Sequence, residues 1–376
     1  MTALHQMGHD SRNLLGELPG FGGAVVSPVN DLPLVVQSQV SEFQSVSFRF
    51  VLDPQLYFPH TQRANLRLWP YFPADFDTAD ASDDWWFGVG AQILSTANDL
   101  GIREVCTPVS VPGIFADDFY RSTVDRGNRL AASAGQTRTL QTVLVRFDEL
   151  ADPQRPLAIG SIVSSTSCGG IYLVLCSEHT PRLEYAQSDA LKGAMRLISA
   201  LVTAGLEVTI PFCGSEVVLW KAAGAQRCAT GKFFNLRRFT PGRWDDPNGG
   251  GGQLPYWFEE SLLAFLRQGD LARIRNRDLF PLSAVNTFGQ GILAQLDADP
   301  SRAWLGASWR QFMAWFAEVD RRVDEGLDVD ALVATAEANW ETVRDARPIL
   351  LMDEPKNDGR WLRPWRIALA EFAGST

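Results

Sequence analysis

One carboxylate stands at a point in the sequence where a catalytic group would be placed. The stretch VLDPQLYFPH at residues 51–60 ends an apolar run at Asp53 and continues with Gln55 and Tyr57. Its aromatic side chains could stack on a planar ligand, and removal from water would raise the pKa of Asp53 and suit it to act as a base or nucleophile. The alternative is that Asp53 only begins a turn, because Asp before Pro favours turns. Asp53 is the main candidate catalytic residue, with Gln55 and Tyr57 as candidate ligand contacts.

A group of cations lies in TGKFFNLRRFTPGRWDDPNGGGG, residues 230–252, of a chain with a formal net charge of −10. Guanidinium groups bind phosphate or carboxylate through paired hydrogen bonds, so this segment predicts an anion-binding site. The alternative is that its cations pair with Asp245, Asp246 and carboxylates of outer helices. The four glycines at 249–252 indicate either a mobile lid or a surface loop without function. The candidate ligand-binding residues of the segment are Lys232, Asn235, Arg237, Arg238 and Arg243.

Other polar residues also follow predicted strands. The sequence CGSE at 213–216 leaves a strand and enters a helix, so Ser215 could contact an anion or act as a nucleophile. The alternative for Ser215 is a helix N-cap. Glu178 is the second candidate catalytic carboxylate. His60 and His179 are the histidines placed for acid–base chemistry, with ordinary loop positions as their alternative.

Seven short apolar runs alternate with segments of helical periodicity, which is the pattern of repeated β-α units around a parallel sheet. The predicted strands are residues 24–30, 48–54, 104–111, 139–147, 170–177, 207–214 and 227–236, and the clearest helices are residues 84–101, 117–134, 189–205 and 215–225. Regular connections and the lack of a GxGxxG turn favour a closed (β/α)8 barrel over an open doubly wound sheet. The candidate residues would then share the mouth at the C-terminal strand ends with Asn30, Asp31, Ser110, Asp148, Cys213 and Glu216.

The last third of the chain is predicted to be helical. Helical periodicity is found in segments 254–275, 301–324, 328–347 and 360–372. The first of these helices would have Glu259 and Glu260 in its first turn. Tyr256, near its start, is a candidate ligand contact. Tryptophans at helical spacing indicate packing anchors, with a partner-binding face as the alternative; they are Trp304, Trp309, Trp315, Trp340, Trp361 and Trp365. Residues 347–353, RPILLMD, are the best candidate for the eighth strand. We therefore expect a barrel core at 1–253 and a helical C-terminal extension at 254–376, which either completes the barrel or packs against it.

Composition limits the classes of function. The chain of 376 residues is 45% hydrophobic, enough for a large core, and its acidic balance leaves nucleic-acid binding only to a local basic patch. Five widely spaced cysteines without a CxxC pair and four histidines without HxH or HExxH predict no metal site, and we expect no cofactor. The N-terminus has no signal-peptide pattern and no apolar run is long enough to span a bilayer, so we expect a cytoplasmic protein without membrane contact.

Residues 170–240 contain a strand ending in an acidic loop, a long helix, a strand, a helix ending in AAGA and a strand followed by arginines. This layout resembles the closing part of the barrel in tRNA-guanine transglycosylases. The resemblance implies mouth carboxylates that act as nucleophile and base in exchanging a purine, and Asp53 could serve as one, although it stands in no motif of that family. The family's zinc site is not implied, because CxCxxC and a matching histidine are missing.

These observations support more than one function. The first is a barrel enzyme that acts on a nucleotide-like or phosphorylated small molecule by base exchange or glycosidic cleavage, with Asp53 and Glu178 as its carboxylates. The second is a non-catalytic barrel that serves as a subunit or specificity module of a larger bacterial assembly and binds a protein partner through its tryptophan-rich helices. The third is a carbohydrate-processing barrel, based on aromatic content and paired carboxylates.

Overall fold

The computed structural model describes residues 3–43, 48–58, 61, 64–76, 81–244, 254–283, 286–346 and 358–374. Within these residues, eight parallel strands pair in chain order and close into a barrel. They are β1 (Leu4–Gln6), β2 (Gly23–Val26), β3 (Arg49–Leu52), β4 (Glu104–Cys106), β5 (Arg138–Arg146), β6 (Gly170–Cys176), β7 (Val208–Ile210) and β8 (Arg227–Thr230). The closed parallel barrel confirms the predicted fold class, and all seven predicted strands are present.

The eighth strand is β1, at the other end of the chain from the predicted one. Leu4 pairs with Gly23 of β2 and with Ala229 of β8, so this short strand closes the ring. A side chain at position 23 would meet the carbonyl oxygen of Arg49 at 2.3 Å from its Cβ, which explains a glycine there. Residues 347–353 lie outside the described residues, and the barrel is complete without them. Three residues, two of them polar, are too few to show strand alternation in a sequence.

Among the described residues, the α-helices that connect the barrel strands are α1 (Pro33–Glu42), α2 (Ala64–Arg67), α3 (Asp83–Leu100), α4 (Asp117–Ser133), α5 (Arg155–Val163), α6 (Ser188–Thr203) and α7 (Val217–Ala222). The four predicted helices are confirmed as α3, α4, α6 and α7. Helix α3 shows the local signals well, because Ser82 accepts a hydrogen bond from the Trp85 amide at its start and Gly101 has a left-handed φ of 74° at its end. No helix among the described residues is long and apolar enough to span a membrane.

Strand register shows which side chains point into the barrel. Thr209 lies opposite Tyr172 and Arg227, so these three share one face. The Arg227 guanidinium donates to Thr209 Oγ1 at 3.0 Å and to Glu104 Oε2 at 2.6 Å, and its Nε lies 2.8 Å from Glu207 Oε1. This buried ion network occupies the N-terminal end of the barrel, which in such barrels contributes to stability and leaves chemistry to the opposite end.

The predicted helix at 254–275 is wrong over most of its length. Strands β9 (Trp257–Glu259) and β10 (Ala264–Leu266) form an antiparallel hairpin, and helix α8 begins only at Gln268. Glu259 is buried in this hairpin and is not in the first turn of a helix. Its Oε1 accepts from the backbone N–H and hydroxyl of both Ser261 and Ser283, and its Oε2 accepts from Trp257 Nε1 at 2.9 Å. These tertiary contacts override the helical periodicity.

The remaining helices are α8 (Gln268–Asn276), α9 (Thr287–Ala298), α10 (Leu305–Asp324), α11 (Val329–Asp345) and α12 (Leu362–Ala373), and α10 to α12 confirm the last three predicted segments. Helix α10 is tied to the barrel through the buried Lys221 of α7, whose Nζ lies 2.8 Å from Asp324 Oδ1 and 3.4 Å from Asp320 Oδ1. Five of the six tryptophans of this region are buried, as packing anchors are, and Trp309 is half-buried.

Candidate functional site

Asp53 lies inside the C-terminal end of the barrel. It follows β3 and is 1% exposed. Tyr57 donates its hydroxyl to both carboxylate oxygens at 3.0 and 2.9 Å, Tyr172 of β6 donates to Oδ2 at 3.2 Å, and the Gln55 backbone N–H donates to Oδ1 at 3.0 Å. The Gln55 bond is the turn contact that the Asp-Pro sequence suggested. The bond from Tyr172, across the barrel, shows that Asp53 does more than begin a turn.

Two glutamine amides near Asp53 have unused hydrogen-bonding capacity. Gln6 pairs with Val25 and Val25 with Val51, so Gln6 shares the inward face of Val51 and Asp53. Among the described residues, neither amide atom of Gln6 has a partner, and Gln55 Nε2 has none either, although both residues are fully buried. Gln55 Oε1 accepts from the Val29 amide at 3.1 Å. A buried amide without a partner costs about 1–3 kcal/mol. These amide groups can therefore form hydrogen bonds with a polar ligand or water inside the barrel.

Burial raises the pKa of Asp53 to about 6, although Gln55, Tyr57, Tyr172 and Arg243 all favour the charged form. The folded protein binds the proton of the Asp53 carboxyl more tightly than the unfolded chain does. This proton therefore adds to the free energy of unfolding below about pH 4, and its contribution is lost as the pH rises through about 6. In Asp53→Asn this dependence is expected to disappear, so the unfolding free energy of the variant relative to wild type should rise by about 2–3 kcal/mol between about pH 4 and pH 7. Urea unfolding at both pH values measures it.

The matched control is Asp118→Asn, because the Asp118 side chain is 94% exposed on α4. Its stability relative to wild type should change by less than about 0.5 kcal/mol over the same pH range. An Asp53→Asn variant whose relative stability does not depend on pH would show that the Asp53 carboxyl titrates as it does in an unfolded chain.

The predicted cations do not lie on one strand. Strand β8 ends at Thr230, and the following loop sends Lys232, Arg237 and Arg238 in different directions, so the predicted strand at 227–236 was too long. Lys232 Nζ donates to the Asp10 carbonyl at 2.9 Å and lies 4.8 Å from the ring centres of Phe233 and Trp309. Lys232 is therefore held against the loop that follows β1.

Arg237 is buried against aromatic rings. Its guanidinium lies 3.8 Å from the ring centre of Phe312 and donates to the backbone carbonyls of Gly231 and Lys232 at 2.9 and 3.0 Å. In the part of the chain that the structure describes, no carboxylate lies within 4.0 Å of it. Burial lowers the pKa of Arg237 to about 9, and the nearby Glu184 carboxylate opposes this change. Within the described residues, Arg237 is thus a buried cation whose guanidinium contacts aromatic rings and backbone carbonyls.

Arg238 faces a pair of glutamates that sequence analysis did not select. Its guanidinium stacks 3.8 Å from the Tyr185 ring centre, donates to the Leu183 carbonyl and places Nη2 3.8 Å from Glu216 Oε2. Burial raises the pKa of Glu184 to about 7, the Glu216 carboxylate adds to this rise, and Arg238 opposes it. Burial also raises the pKa of Glu216. In the sequence, Glu216 has no mark except its place after a predicted strand, and Glu184, eight residues beyond β6, stands in no motif.

The other predicted site residues have varied positions. Ser215 is buried, and its Oγ approaches Glu184 without a hydrogen bond of regular geometry. It is not the N-cap of α7, since Glu216 occupies that position. Glu178 is exposed and pairs with Arg146 at 3.7 Å, so it is not among the groups that contact Asp53. His179 Nδ1 lies 3.0 Å from Ser177 Oγ.

The last three predicted ligand contacts lie around the loop after β8. Arg243 is buried and donates to the carbonyl of Asn235 at 3.0 Å, while the Asn235 side chain is exposed. The Tyr256 hydroxyl accepts from Arg182 at 2.8 Å and from Arg267 at 3.3 Å. His60, Asp245, Asp246 and the four glycines at 249–252 lie outside the described residues.

No protein-family model and no curated protein matches this chain. Similar solved structures include one described as a deoxyribose-phosphate aldolase from Coccidioides immitis, with 14% identity, a TM-score of 0.38 and coverage of 61% of this chain and 80% of that one. A dihydrodipicolinate synthase from Oceanobacillus iheyensis has 12% identity, a TM-score of 0.34 and coverage of 99% and 95%. At these values the similarities carry no information about the reaction, and the barrel is established by its own strand pairing.

Proposed function

We propose that this chain is a barrel enzyme that binds a nucleotide-like or phosphorylated small molecule at the C-terminal mouth and breaks or exchanges its glycosidic bond. Exchange of a base is the reaction of the tRNA-guanine transglycosylases that residues 170–240 resemble, and cleavage by water is the simpler form of the same chemistry. The observation that carries the proposal is Asp53, a buried carboxylate at the reactive end of a barrel.

The surroundings of Asp53 fit the role of a nucleophile or base. Its pKa of about 6 leaves it charged near neutral pH but more basic than an exposed aspartate. The Tyr57 ring beside it packs against Phe239 and Trp244, at 4.9 and 5.2 Å between ring centres. A ligand that entered here would meet aromatic rings and the unpaired amide atoms of Gln6 and Gln55. This combination of an apolar wall and a few polar groups is typical of small-molecule sites.

An anionic group on the ligand is favoured by Arg237. Among the described residues its buried guanidinium has no ion pair, which is costly, and a phosphoryl group would supply the missing charge. The loop after the last strand is also where barrel enzymes often bind phosphate. Lys232, Arg238 and Arg243 contribute to the positive potential of the same loop, although each already has a protein partner.

Native mass spectrometry of the gently purified protein, followed by denaturing extraction, tests this proposal. Wild type is expected to retain a nucleotide or sugar phosphate, and Arg237→Ala is expected to lose it. Arg237→Lys, which keeps a charge, should retain part of it. Asp53→Asn should keep the ligand but turn it over at least about 100-fold more slowly.

Arg344→Ala is the matched control, because Arg344 pairs with Glu341 on α11 and its side chain is 51% exposed. This variant should retain ligand as wild type does, and circular dichroism shows whether each variant is folded. An empty wild-type monomer that copurifies with a second protein would contradict the enzyme proposal and favour the non-catalytic subunit.

A further inference from the structure

We propose that Glu184 is the acid–base residue of the mouth, and that Glu216 and Arg238 position it. This inference rests on the proposed function and names the proton carrier that Asp53 does not supply. Neither Glu184 nor Glu216 was selected as a catalytic candidate from the sequence. The three residues lie in the loops after β6, β7 and β8, where Arg238 contacts Leu183 and Tyr185 on either side of Glu184 and lies 3.8 Å from Glu216 Oε2.

The two glutamates differ in access to solvent. Glu184 lies in the loop between β6 and α6 and is half-buried, so part of its side chain can reach a ligand. Glu216 lies between β7 and α7, is 1% exposed, and accepts the Gly214 amide on Oε1 at 3.0 Å. A ligand in the mouth would therefore meet Glu184, while Glu216 stays behind it.

The cluster has bonding capacity that its own residues leave unused. Among the described residues, Ser215 Oγ, Glu216 Oε2 and Arg238 Nε are buried without a hydrogen-bond partner. Glu216 Oε2 lies 3.8 Å from Arg238 Nη2, which is too long for a hydrogen bond. In a stable core such groups are normally satisfied, and their persistence beside a half-buried carboxylate is typical of a functional site.

The charges around Glu184 favour a shared proton. The charged and titratable groups that act on it are Glu216, Arg238 and Arg237, and the Ser215 hydroxyl lies beside it. Two carboxylates in one buried place cannot easily be charged together, so one of them keeps a proton near neutral pH. Burial raises the pKa of Tyr185, which stacks on Arg238, and the pKa of Cys213, which lies near the Glu216 carboxylate. Both side chains therefore stay neutral.

Glu184 gives up one proton and regains one during the proposed cleavage of the glycosidic bond. Protonated Glu184 donates its proton to the leaving atom as the bond from that atom to the sugar carbon breaks, and Glu184 becomes a carboxylate. Water then adds its oxygen to the sugar carbon, directly or after a covalent intermediate on Asp53, and its proton returns to Glu184. Arg238 and Arg237 stabilise the charged form between the two steps.

Titration of the carboxyl groups tests the pair without any substrate. In protein labelled with ¹³C at the glutamate carboxyls, the resonance that Glu184→Gln removes identifies Glu184. It should titrate near pH 7 in wild type and at a clearly lower pH in Glu216→Gln, because the neighbouring negative charge is gone. Glu341→Gln, on the exposed face of α11, should leave the titration unchanged. A Glu184 resonance that titrates near pH 4.5, the ordinary value for a glutamate, would overturn the proposal.

Turnover of the ligand retained by wild type separates this inference from the proposed function. Glu184→Gln should keep the ligand and lower kcat by about 10²–10⁴-fold, with loss of the pH limb near 7. Glu216→Gln should move that limb to lower pH and lower the rate near neutral pH, because less of the Glu184 acid is then protonated. If wild type turns over its ligand and Glu184→Gln does so equally well, the inference fails and the proposed function stands. If wild type neither retains nor converts any ligand, the proposed function fails, and the catalytic role of Glu184 fails with it.

Discussion

Arg238→Ala is expected to lower the free energy of unfolding by about 3–5 kcal/mol at neutral pH, because it leaves buried Glu216 without its nearest cation. The variant also loses the stacking of the guanidinium on Tyr185 and the hydrogen bond to the Leu183 carbonyl. Urea unfolding followed by circular dichroism measures the change. The loss should become smaller as the pH falls, because both glutamates, whose pKa values burial raises, then become neutral.

A second substitution separates charge from packing. Arg238→Ala combined with Glu216→Gln should recover part of the lost stability, since the unpaired charge is removed but the cavity stays. Arg321→Ala is the control: this arginine is 52% exposed with ion pairs to Glu318 and Glu325 on the surface of α10, so its loss should cost far less than the loss of Arg238. A double variant that is no more stable than Arg238→Ala would show that the cost comes from packing and not from Glu216.

Glu259→Ala is expected to destabilise the protein by about 3–5 kcal/mol, because five hydrogen bonds in the buried hairpin lose their acceptor at once. Donors on Trp257, Ser261 and Ser283 would be left without a partner, and the 0% exposed site admits little water. Thermal unfolding should show a lower midpoint, while the transition stays single and cooperative with the same amplitude.

Glu259→Gln provides the graded comparison. Its amide keeps one oxygen but turns an NH2 group toward donors, so it should cost about 1–3 kcal/mol, between wild type and alanine. Glu341→Ala, with a side chain 65% exposed on α11, should change stability by less than about 0.5 kcal/mol. If Glu259→Ala and Glu341→Ala have similar stabilities, the Glu259 carboxylate does not hold the hairpin together.

The barrel could be predicted because each of its longer strands is a local apolar run between helices with clear ends. Helix α3, with Ser82 and Gly101 at its two ends, is the clearest example. The hairpin at β9 and β10 could not be predicted, since its residues also fit a helix and the contacts of Glu259 with Ser283 come from outside the segment. Strand β1 was missed for a similar reason, because only pairing with both β2 and β8 makes Leu4–Gln6 a strand.

The sequence alone determined seven of the eight barrel strands, the clearest helices between them, the barrel class and the place of Asp53 at a strand end, because periodicity and turn residues act over a few neighbours along the chain. Only the tertiary structure decided which charges meet. Arg238 and Glu216 are 22 residues apart and Glu184 stands in a loop without a motif, yet three barrel loops bring them together. The energies that shift their pKa values depend on burial and on distance in space, and neither quantity can be read from spacing along a sequence.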